Sequence, residues 1–392
     1  MKKTDPYSRA WRCPLELNHL PDIQFVETNL DVILQETIAG YEKAYLEQYG
    51  QEKKLFPGDP IRIYLYSQAL REFQLRKLID YSAKQNLLKY AKGDYLRHIG
   101  ATKGVDQLGE QKATVLVRFN LSTALTSVYT IPAGLRVGPG NNLYFETTSP
   151  IEIPAGMQEV IGLVTCTVPG TIGNGFAPGQ INIISDPQPY LISVVNIETS
   201  KGGSDVEDEE SYRERIHLAP EGFSVAGPEG AYIYFAKSFS PLVLDVKAHS
   251  PSDGVVDLRL LLQDGELPSE CFLQEAFEYL NAKDRRPLTD KLQVNAPDTV
   301  DYDIDLDYYI LDKEAAAVAS IQENVEKAIA DYQLWQKAKI GRDINPSELI
   351  SRVIRAGAKR VDVRSPVFTD ITDQQVAISS AVQVQYGGIE SD

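Results

Sequence analysis

The hydrophobic periodicity of the chain changes near Ala113, and no other feature constrains the fold as strongly. Before this point apolar residues recur at helical spacing, whereas residues 113–200 are rich in strand and turn signals. Helical and strand patterns then alternate up to the C-terminus. A length of 392 residues is typical of two to four domains. We therefore predict a multidomain α+β protein.

Composition shifts divide the chain into four predicted segments. Residues 1–111 are expected to form a helical region and residues 112–201 a β-rich domain. Two small α/β two-layer domains are expected over residues 202–298 and 299–392. Gly202-Gly203 marks the boundary in the middle of the chain, because paired glycines interrupt regular structure.

The helical region contains a helix with apolar residues on several sides. Asp59-Pro60 is typical of a helix start, and the pattern predicts a helix from there to about Tyr90. A helix on the surface of a monomer normally has a single apolar face. This one needs neighbours on several sides, either in a three-helix bundle within the chain or in a bundle completed by another subunit. The candidate interface residues are Ile63, Tyr66, Leu70, Phe73, Leu78, Tyr81 and Leu88.

The β-rich segment contains the sequence Ile-Pro-Ala-Gly twice, at residues 131–134 and 153–156. Proline and glycine at these positions favour a type I turn, so we predict two similar hairpins. A glycine-rich loop follows at residues 169–179. Its glycine spacing matches neither phosphate-binding fingerprint, so it is interpreted as structural.

Two helix starts are predicted in the second half of the chain. Ser204 and Glu207 have the spacing of a capping box, followed by acidic residues suited to a first helical turn. Asn345-Pro346 repeats the combination of a cap and an N1 proline.

Four aspartates alternate with apolar residues over residues 300–311: Asp301, Asp303, Asp305 and Asp307. This period of two predicts a strand with one acidic face. Same-face residues lie about 6.6 Å apart, too far for one cation to bridge easily. The face is interpreted as solvated, with docking of a basic partner as the functional alternative.

The rest of the composition excludes several classes of function. The formal net charge of −16 disfavours binding to nucleic acid or to anionic lipid. No apolar stretch is long enough to span a membrane, and no signal peptide is indicated. Cys13, Cys166 and Cys271 are widely spaced and are expected to be reduced and mostly buried. No metal, cofactor or nucleophile motif is recognised, so we expect neither a cofactor nor enzymatic activity.

Several segments resemble the Baseplate J-like family of contractile phage tails. They include residues 18–21 and 81–88, residues 173–175 with 178–182, residues 202–205 with 209–210 and 213–216, and residues 227–232 and 341–346. The similarity covers about nine tenths of the chain, and Gly-Gly-Ser-Asp at residues 202–205 is its strongest single signal.

This resemblance implies a non-enzymatic inner-wedge subunit. It would pair with a second copy or a related chain, form a sixfold ring around the hub and spike, and contact sheath-proximal proteins. It would be assembled in the host cytoplasm into a virion tail baseplate or a related contractile injection system. The alternative hypothesis is a carbohydrate-binding or carbohydrate-active tail adhesion protein. That hypothesis predicts exposed aromatics near acids at Tyr129 and Tyr144-Phe145.

Overall fold

The computed structural model describes residues 17, 20–223, 228–282, 285–287 and 289–391. One compact unit comprises the described part of Met1–Asp106 together with Tyr212–His217. The other comprises Gln107–Ser211 and the described part of Leu218–Asp392. Helices and separate sheets occur in succession along the chain, which confirms the predicted multidomain α+β class.

The N-terminal unit contains two long helices followed by a short one. They are α1 (Leu30–Tyr49), α2 (Pro60–Lys84) and α3 (Gly93–Thr102). The start of α2 is as predicted, because the carboxylate of Asp59 accepts a hydrogen bond from the amide of Ile61. A small buried cluster of Ile38, Leu55 and Leu65 packs α1 against α2.

The helix α2 is shorter than predicted, because the chain leaves it at Gln85 and not near Tyr90. The buried amide side chain of Gln85 donates to the carbonyl of Tyr90 at 3.3 Å and accepts from the amide of Lys92 at 3.0 Å. The side-chain amide of Asn86 donates to the carbonyl of Ser82 at 3.1 Å. These bonds occupy backbone groups that another helical turn would have used, so the chain turns instead.

The β-rich domain is built from a six-stranded sheet and a two-stranded one. Its strands are β1 (Thr114–Leu121), β2 (Tyr129–Ile131), β3 (Arg136–Gly138), β4 (Phe145–Thr147), β5 (Ile151–Ile153), β6 (Glu159–Cys166), β7 (Ile183–Ile184) and β8 (Leu191–Asn196). The large sheet has the order β7-β3-β4-β6-β1-β8, and β2 pairs with β5. Along β1 half-buried and buried residues alternate, as expected for a sheet with one face on a core.

The two Ile-Pro-Ala-Gly turns do not close two hairpins, which corrects the prediction. Each turn connects a strand of the small sheet to a strand of the large sheet, β2 to β3 and β5 to β6. The strands that precede the turns pair with each other, with Tyr129 opposite Ile153. Gly134 and Gly156 have φ angles of 81° and 87°, which favour glycine. The repeated motif therefore forms two equivalent corners, whose strand partners the local sequence did not specify.

The six-stranded sheet nearly closes on itself at Asn196. The amide of Asn196 donates to the carbonyl of Ile181 at 3.1 Å, and its side-chain oxygen accepts from the Ile181 amide at 2.8 Å. Its side-chain nitrogen donates to the carbonyls of Phe176, Ala177 and Glu198. Because Asn196 is only 2% exposed, this full set of bonds is needed to offset its desolvation. It ties the loop before β7 to the end of β8.

The helix α4 (Glu209–Leu218) begins later than the predicted capping box. Its N-cap is Asp208, whose carboxylate accepts from amides of the first turn. Ser204 instead forms an isolated β-bridge with Gln111, and the carboxylate of Glu207 accepts from the amide of Leu108 at 2.9 Å. These long-range contacts hold Ser204 and Glu207 ahead of the helix, so the capping-box prediction was wrong.

A three-stranded sheet with helices follows. Its elements are α5 (Glu229–Phe239), β9 (Val243–Ser252), β10 (Val255–Leu262), α6 (Glu270–Leu280) and β11 (Lys291–Asn295). In the order β11-β10-β9, β10 is antiparallel to β9 and parallel to β11. Tyr232 from α5 and Ala276 from α6 pack with Leu258 in the core beside this sheet.

The C-terminal part is a second two-layer arrangement. Its elements are β12 (Asp298–Leu311), α7 (Val318–Lys337), α8 (Pro346–Arg355), β13 (Arg360–Ser365) and β14 (Gln375–Glu390). The sheet order is β13-β12-β14, with β13 antiparallel and β14 parallel to β12. The side chain of Asn345 caps α8, as predicted. One face of β12 packs with α7 and α8 in a shared core.

Candidate interaction surfaces

The helix α2 exposes large apolar side chains along its length. We call this set the α2 apolar surface; its members are Ile63, Tyr64, Tyr66, Leu75, Leu78, Ile79 and Tyr81. Ile63 is 64% exposed and Leu78 is 59% exposed. The buried residues of α2 are Leu65 and Ala69, on the other side of the helix. The helix therefore has an apolar side that faces its own unit and a second one that faces solvent.

Four of the seven helix residues predicted for an interface belong to this surface, namely Ile63, Tyr66, Leu78 and Tyr81. The other three do not. Leu70 and Phe73 are partly buried, and Leu88 lies in the turn after the helix, also partly buried.

Tyr64, Leu75 and Ile79 belong to the α2 apolar surface but were not among the predicted interface residues. A sequence signal for two of them exists. Leu75 and Ile79 stand three residues before and one residue after Leu78, so the three side chains share one helix side at the i, i+3, i+4 spacing. For Tyr64 the sequence offers no such indication.

Charged contacts on its flanks help to position α2. Arg76 pairs with Glu72 on its own helix at 2.6 Å and with Glu36 of α1 at 3.3 Å. The carboxylate of Asp80 accepts from Lys84 at 2.6 Å and from the amide of Phe25 at 2.8 Å. These hydrogen bonds, that of Lys84 first, hold the pKa of Asp80 below its usual value.

The aspartate face of β12 lies on the exposed side of its strand, as the period of two predicts. Two of its members have a partner within the chain. Arg364 donates from Nε to Asp305 at 2.8 Å and from Nη1 to Asp307 at 2.6 Å. These hydrogen bonds lower the pKa of both carboxyls. The register between β12 and β13 shifts at this point, so Arg364 is the additional residue of a bulge and reaches both acids.

The other two aspartates differ from this pair. Asp303 accepts a hydrogen bond from the amide of Ala381 at 3.2 Å, where the register between β12 and β14 shifts. Asp301 is exposed. The acidic face is therefore partly compensated inside the chain, a feature that the alternating pattern did not reveal.

A buried arginine of α4 organises the N-terminal unit. Arg213 donates from Nε to the carbonyl of Leu88 at 2.9 Å and from Nη2 to that of Ala91 at 2.6 Å. The hydroxyl of Tyr212 donates to the carbonyl of Val105 at 2.8 Å. These acceptors are more than 100 residues away in sequence, so inspection of residues 212 and 213 alone could not have identified the contacts.

Two segments that carry the family resemblance form one structural junction. Asn174 donates to the carbonyl of Gly203 at 2.8 Å and accepts from its amide at 2.9 Å. Asp205 accepts from the amide of Thr171 at 3.2 Å. A Cβ at Gly203 would lie 2.4 Å from the carbonyl oxygen of Gly170, so only glycine fits this approach. The glycine-rich loop is thus tied to the Gly-Gly-Ser-Asp segment by internal bonds.

The aromatic residues required by the carbohydrate hypothesis are engaged within the domain. The hydroxyl of Tyr129 donates to the carbonyl of Pro189 at 2.6 Å. The guanidinium of Arg136 lies 5.4 Å from the ring centre of Tyr144, and Phe145 is fully buried. The alternative gains no support from these positions.

The two cysteines in the described part of the chain differ in their exposure. Cys166 is buried, but Cys271 is exposed, contrary to the expectation for mostly buried thiols; Cys13 lies outside the described residues. Within the described ranges no three His, Cys, Asp or Glu side chains are grouped in a way that could hold a metal ion. In the same part of the chain no helix has both the length and the apolar character to cross a membrane.

Comparison with known families covers three successive parts of the chain. The Baseplate J-like protein barrel domain matches residues 116–203, the central domain residues 224–296, and the C-terminal domain residues 302–385. The chain belongs to the Baseplate J-like family. This confirms the resemblance seen in the sequence, and the barrel description fits the nearly closed six-stranded sheet.

Two individual proteins are similar to this Baseplate J-like chain. Baseplate protein J of Escherichia phage P2 is 29% identical over 188 residues, which is 47% of this chain and 60% of that protein. The alignment thus spans less than two thirds of the relative. A chain in the cryo-EM structure of the anti-feeding prophage (AFP) baseplate, 6-fold symmetrised, matches with a TM-score of 0.42 and 13% identity. That match covers 91% of this chain and 100% of the other, but is too distant to support an argument about function.

Proposed function

We propose that this protein is a structural subunit of the inner wedge of a contractile-tail baseplate. The observation that carries the proposal is the succession of three Baseplate J-like domains in order along the chain. A relative named Baseplate protein J supports the same assignment over part of its length. In this role the protein contributes contacts and shape, and it performs no catalysis.

The roles of the motif residues support a structural function. Asn174 and Asp205 bond to backbone groups of the barrel junction, and Arg213 bonds to two carbonyls of its own unit. A catalytic or ligand-binding motif would direct some of these polar groups into a pocket. The hydrogen bonds described for Asn174, Asp205 and Arg213 instead connect segments of the chain to one another.

The α2 apolar surface is the proposed contact between paired wedge chains. Exposed apolar groups are costly in water when they form a contiguous patch, and they are typical of protein interfaces. Two chains that each carry a net charge of −16 repel one another, so pairing needs an apolar contribution that salt does not screen. Ile63, Leu75 and Leu78 supply such area on one helix.

The aspartate face is proposed to act later in assembly, as a contact for a basic neighbouring component. Arg364 already compensates Asp305 and Asp307, so Asp301 and Asp303 would contribute most to such a contact. Exposed charge pairs are individually weak and are screened by salt. Their neutralisation is expected to leave pairing intact and to weaken only subsequent assembly.

The partners and the location that the family resemblance implies are part of the same proposal. The partners would be a second copy or a related wedge chain, the hub and spike, and sheath-proximal proteins. The protein would be located in the tail baseplate of a virion or of a related contractile particle, after assembly in the host cytoplasm. We also propose 1–111, 112–201, 202–298 and 299–392 as working domain limits.

A matched pair of substitutions tests the role of the α2 apolar surface. Ile63 in α2 is 64% exposed and Ile192 in β8 is 63% exposed, so Ile63→Asp and Ile192→Asp make the same chemical change at equal exposure. Pairing and incorporation into baseplates are measured by light scattering and by co-purification from assembling particles. We expect Ile63→Asp to weaken pairing at least tenfold, which corresponds to about 1.4 kcal/mol.

The control variant is expected to pair and to assemble normally. Both variants should melt within a few degrees of the parent chain, because exposed substitutions usually change stability by about 0.5 kcal/mol or less. Normal pairing of Ile63→Asp, or an equal loss in Ile192→Asp, would place the interface elsewhere. A chain that never enters a baseplate particle would contradict the assignment itself.

A further inference from the structure

The two edges of the C-terminal sheet differ in their protection against an added strand. The strand β13 contains Arg360, Asp362 and Arg364 among six residues, and Pro366 follows it. Charges and proline at an edge are common means of preventing further strand pairing. The opposite edge is β14, which is 16 residues long and has no charged residue or proline before Glu390.

A regular window lies in the middle of β14. Residues 382–386 pair one-to-one with residues 304–308 of β12, and register shifts occur immediately before and after this stretch. The shifts are bulges, which interrupt regular pairing at either end. The window is thus five residues long, an ordinary strand length, and its outer side is the edge of the sheet among the described residues.

An open groove runs beside this window. It has a volume of about 350 Å³, and its lining residues are Glu326, Ile329, Ala330, Gln333, Val382 and Val384. The last two alternate along β14 and direct their side chains to the α7 side, where Val382 remains 46% exposed. A strand placed alongside β14 would direct every second side chain into this groove, since successive side chains alternate between faces.

The negative charge around the groove favours a basic segment as the added strand. Residues 299–392 contain 16 acidic and 10 basic residues, a formal net charge of −6. The groove wall carries Glu326, and the exposed face of the adjacent strand carries Asp301 and Asp303. A second copy of the chain would add another acidic surface and be repelled, whereas a basic segment would be attracted.

We propose that the edge of β14 at residues 382–386 accepts a short extended segment of another protein. The segment adds to the sheet through main-chain hydrogen bonds, places apolar side chains at alternate positions in the groove, and carries basic side chains between them. Backbone pairing supplies affinity and the groove supplies specificity, as in other cases of strand addition. This surface and α2 belong to different parts of the chain, and the proposal does not depend on the baseplate assignment.

The test uses the full chain and a synthetic probe, an eight-residue capped peptide of alternating valine and lysine. Binding is measured by fluorescence anisotropy, and amide protection by hydrogen–deuterium exchange. We expect saturable binding and slower exchange of the amides in residues 382–386. A peptide with a central proline should bind at least tenfold more weakly, because proline removes a donor and disrupts the strand. The valine–glutamate analogue should also bind at least tenfold more weakly.

Three variants locate the site. Val382→Lys blocks the groove and should weaken binding at least tenfold, whereas its control Val367→Lys, at a 69% exposed position beyond the other edge, should not. Asp301→Asn should weaken binding of the lysine peptide about two- to fivefold at low salt, the size expected for an exposed ion pair, because the lysines point to the sheet face that carries Asp301. The three variants should retain the melting temperature of the parent chain.

Specific results would overturn the proposal. Equal weakening by Val382→Lys and Val367→Lys would show that the groove is not the site. Unchanged exchange of residues 382–386 at saturating peptide would do the same. Self-association that Val382→Lys abolishes and the peptide does not compete with would identify a second copy as the occupant. None of these outcomes affects the pairing test at Ile63.

Discussion

The helices α2 and α7 are of similar length but use their apolar residues differently. The helix α7 has 20 residues and buries Ile321, Val325, Ile329, Tyr332 and Gln336. The helix α2 has 25 residues and buries Leu65 and Ala69. The buried residues of α7 recur every three or four positions and form one stripe against the β12 sheet. Those of α2 represent only a small part of its apolar content.

This difference shows how much a hydrophobic pattern reveals about the partner of a helix. A single stripe is satisfied by one neighbouring layer, and the chain supplies that layer for α7. Apolar residues around most of the circumference exceed what one neighbour can cover, and in α2 the excess remains exposed. The pattern thus predicts a need for burial, while the location of the partner depends on the rest of the fold.

The largest expected difference between α2 and α7 is the loss of stability caused by the same substitution in each helix. Ile321 in α7 is 5% exposed and Ile63 in α2 is 64% exposed. Ile321→Asp should destabilise the isolated chain by roughly 3 to 5 kcal/mol, because it buries a carboxyl and leaves a cavity. Ile63→Asp should change the free energy of unfolding by about 0.5 kcal/mol or less. Chemical denaturation of both variants measures the difference; similar losses would mean that α2 is also packed within the monomer.

A smaller effect concerns acid pH and the exposed face of the β12 sheet. Hydrogen bonds from Arg364 lower the folded-state pKa of Asp305 and Asp307 below the unfolded value of about 3.9. Their stabilisation is therefore complete above about pH 4 and is lost as the pH falls through the lower folded-state values. Carboxyl NMR titration should show both pKa values rising in Arg364→Gln. Unchanged values in that variant would contradict the compensating role of Arg364.

The smallest expected effect tests what α7 contributes through Tyr332. Its ring packs 6.5 Å from that of Tyr302, and burial raises the pKa of Tyr332 to about 12. Neither hydroxyl has a hydrogen-bond partner among the described residues. Tyr332→Phe should therefore be neutral or slightly stabilising, within about 0.5 kcal/mol, because it removes a buried polar group and keeps the ring. A decrease of about 2 kcal/mol or more in the free energy of unfolding is the size expected when a buried hydrogen-bond partner is left unsatisfied. It would show that the Tyr332 hydroxyl has a partner.

Part of the proposed interaction surfaces could be predicted from the sequence, and part could not. Ile63 and Leu78 were predicted from the sequence, because α2 carries more apolar residues than one neighbouring element can cover, and this excess is visible in the hydrophobic pattern. Leu88 was predicted to lie on the same helix because no signal in the local sequence indicated the turn at Gln85. The aspartates of β12 were assigned to the correct face, but their pairing with Arg364 depends on a bulge in a strand almost 60 residues later.

The features that could be predicted from the sequence alone depend on interactions between near neighbours in the chain. The cap at Asp59, the cap at Asn345 and the alternating burial of β12 involve groups within a few residues of one another, so their patterns are visible locally. The tertiary structure decided which distant backbone groups form hydrogen bonds with a given side chain. Arg213 finds its acceptors 122 and 125 residues earlier, and Ser204 is held by Gln111 instead of capping a helix. Such contacts form only after the intervening chain has folded, because a buried polar group takes whichever partner the packing brings within reach.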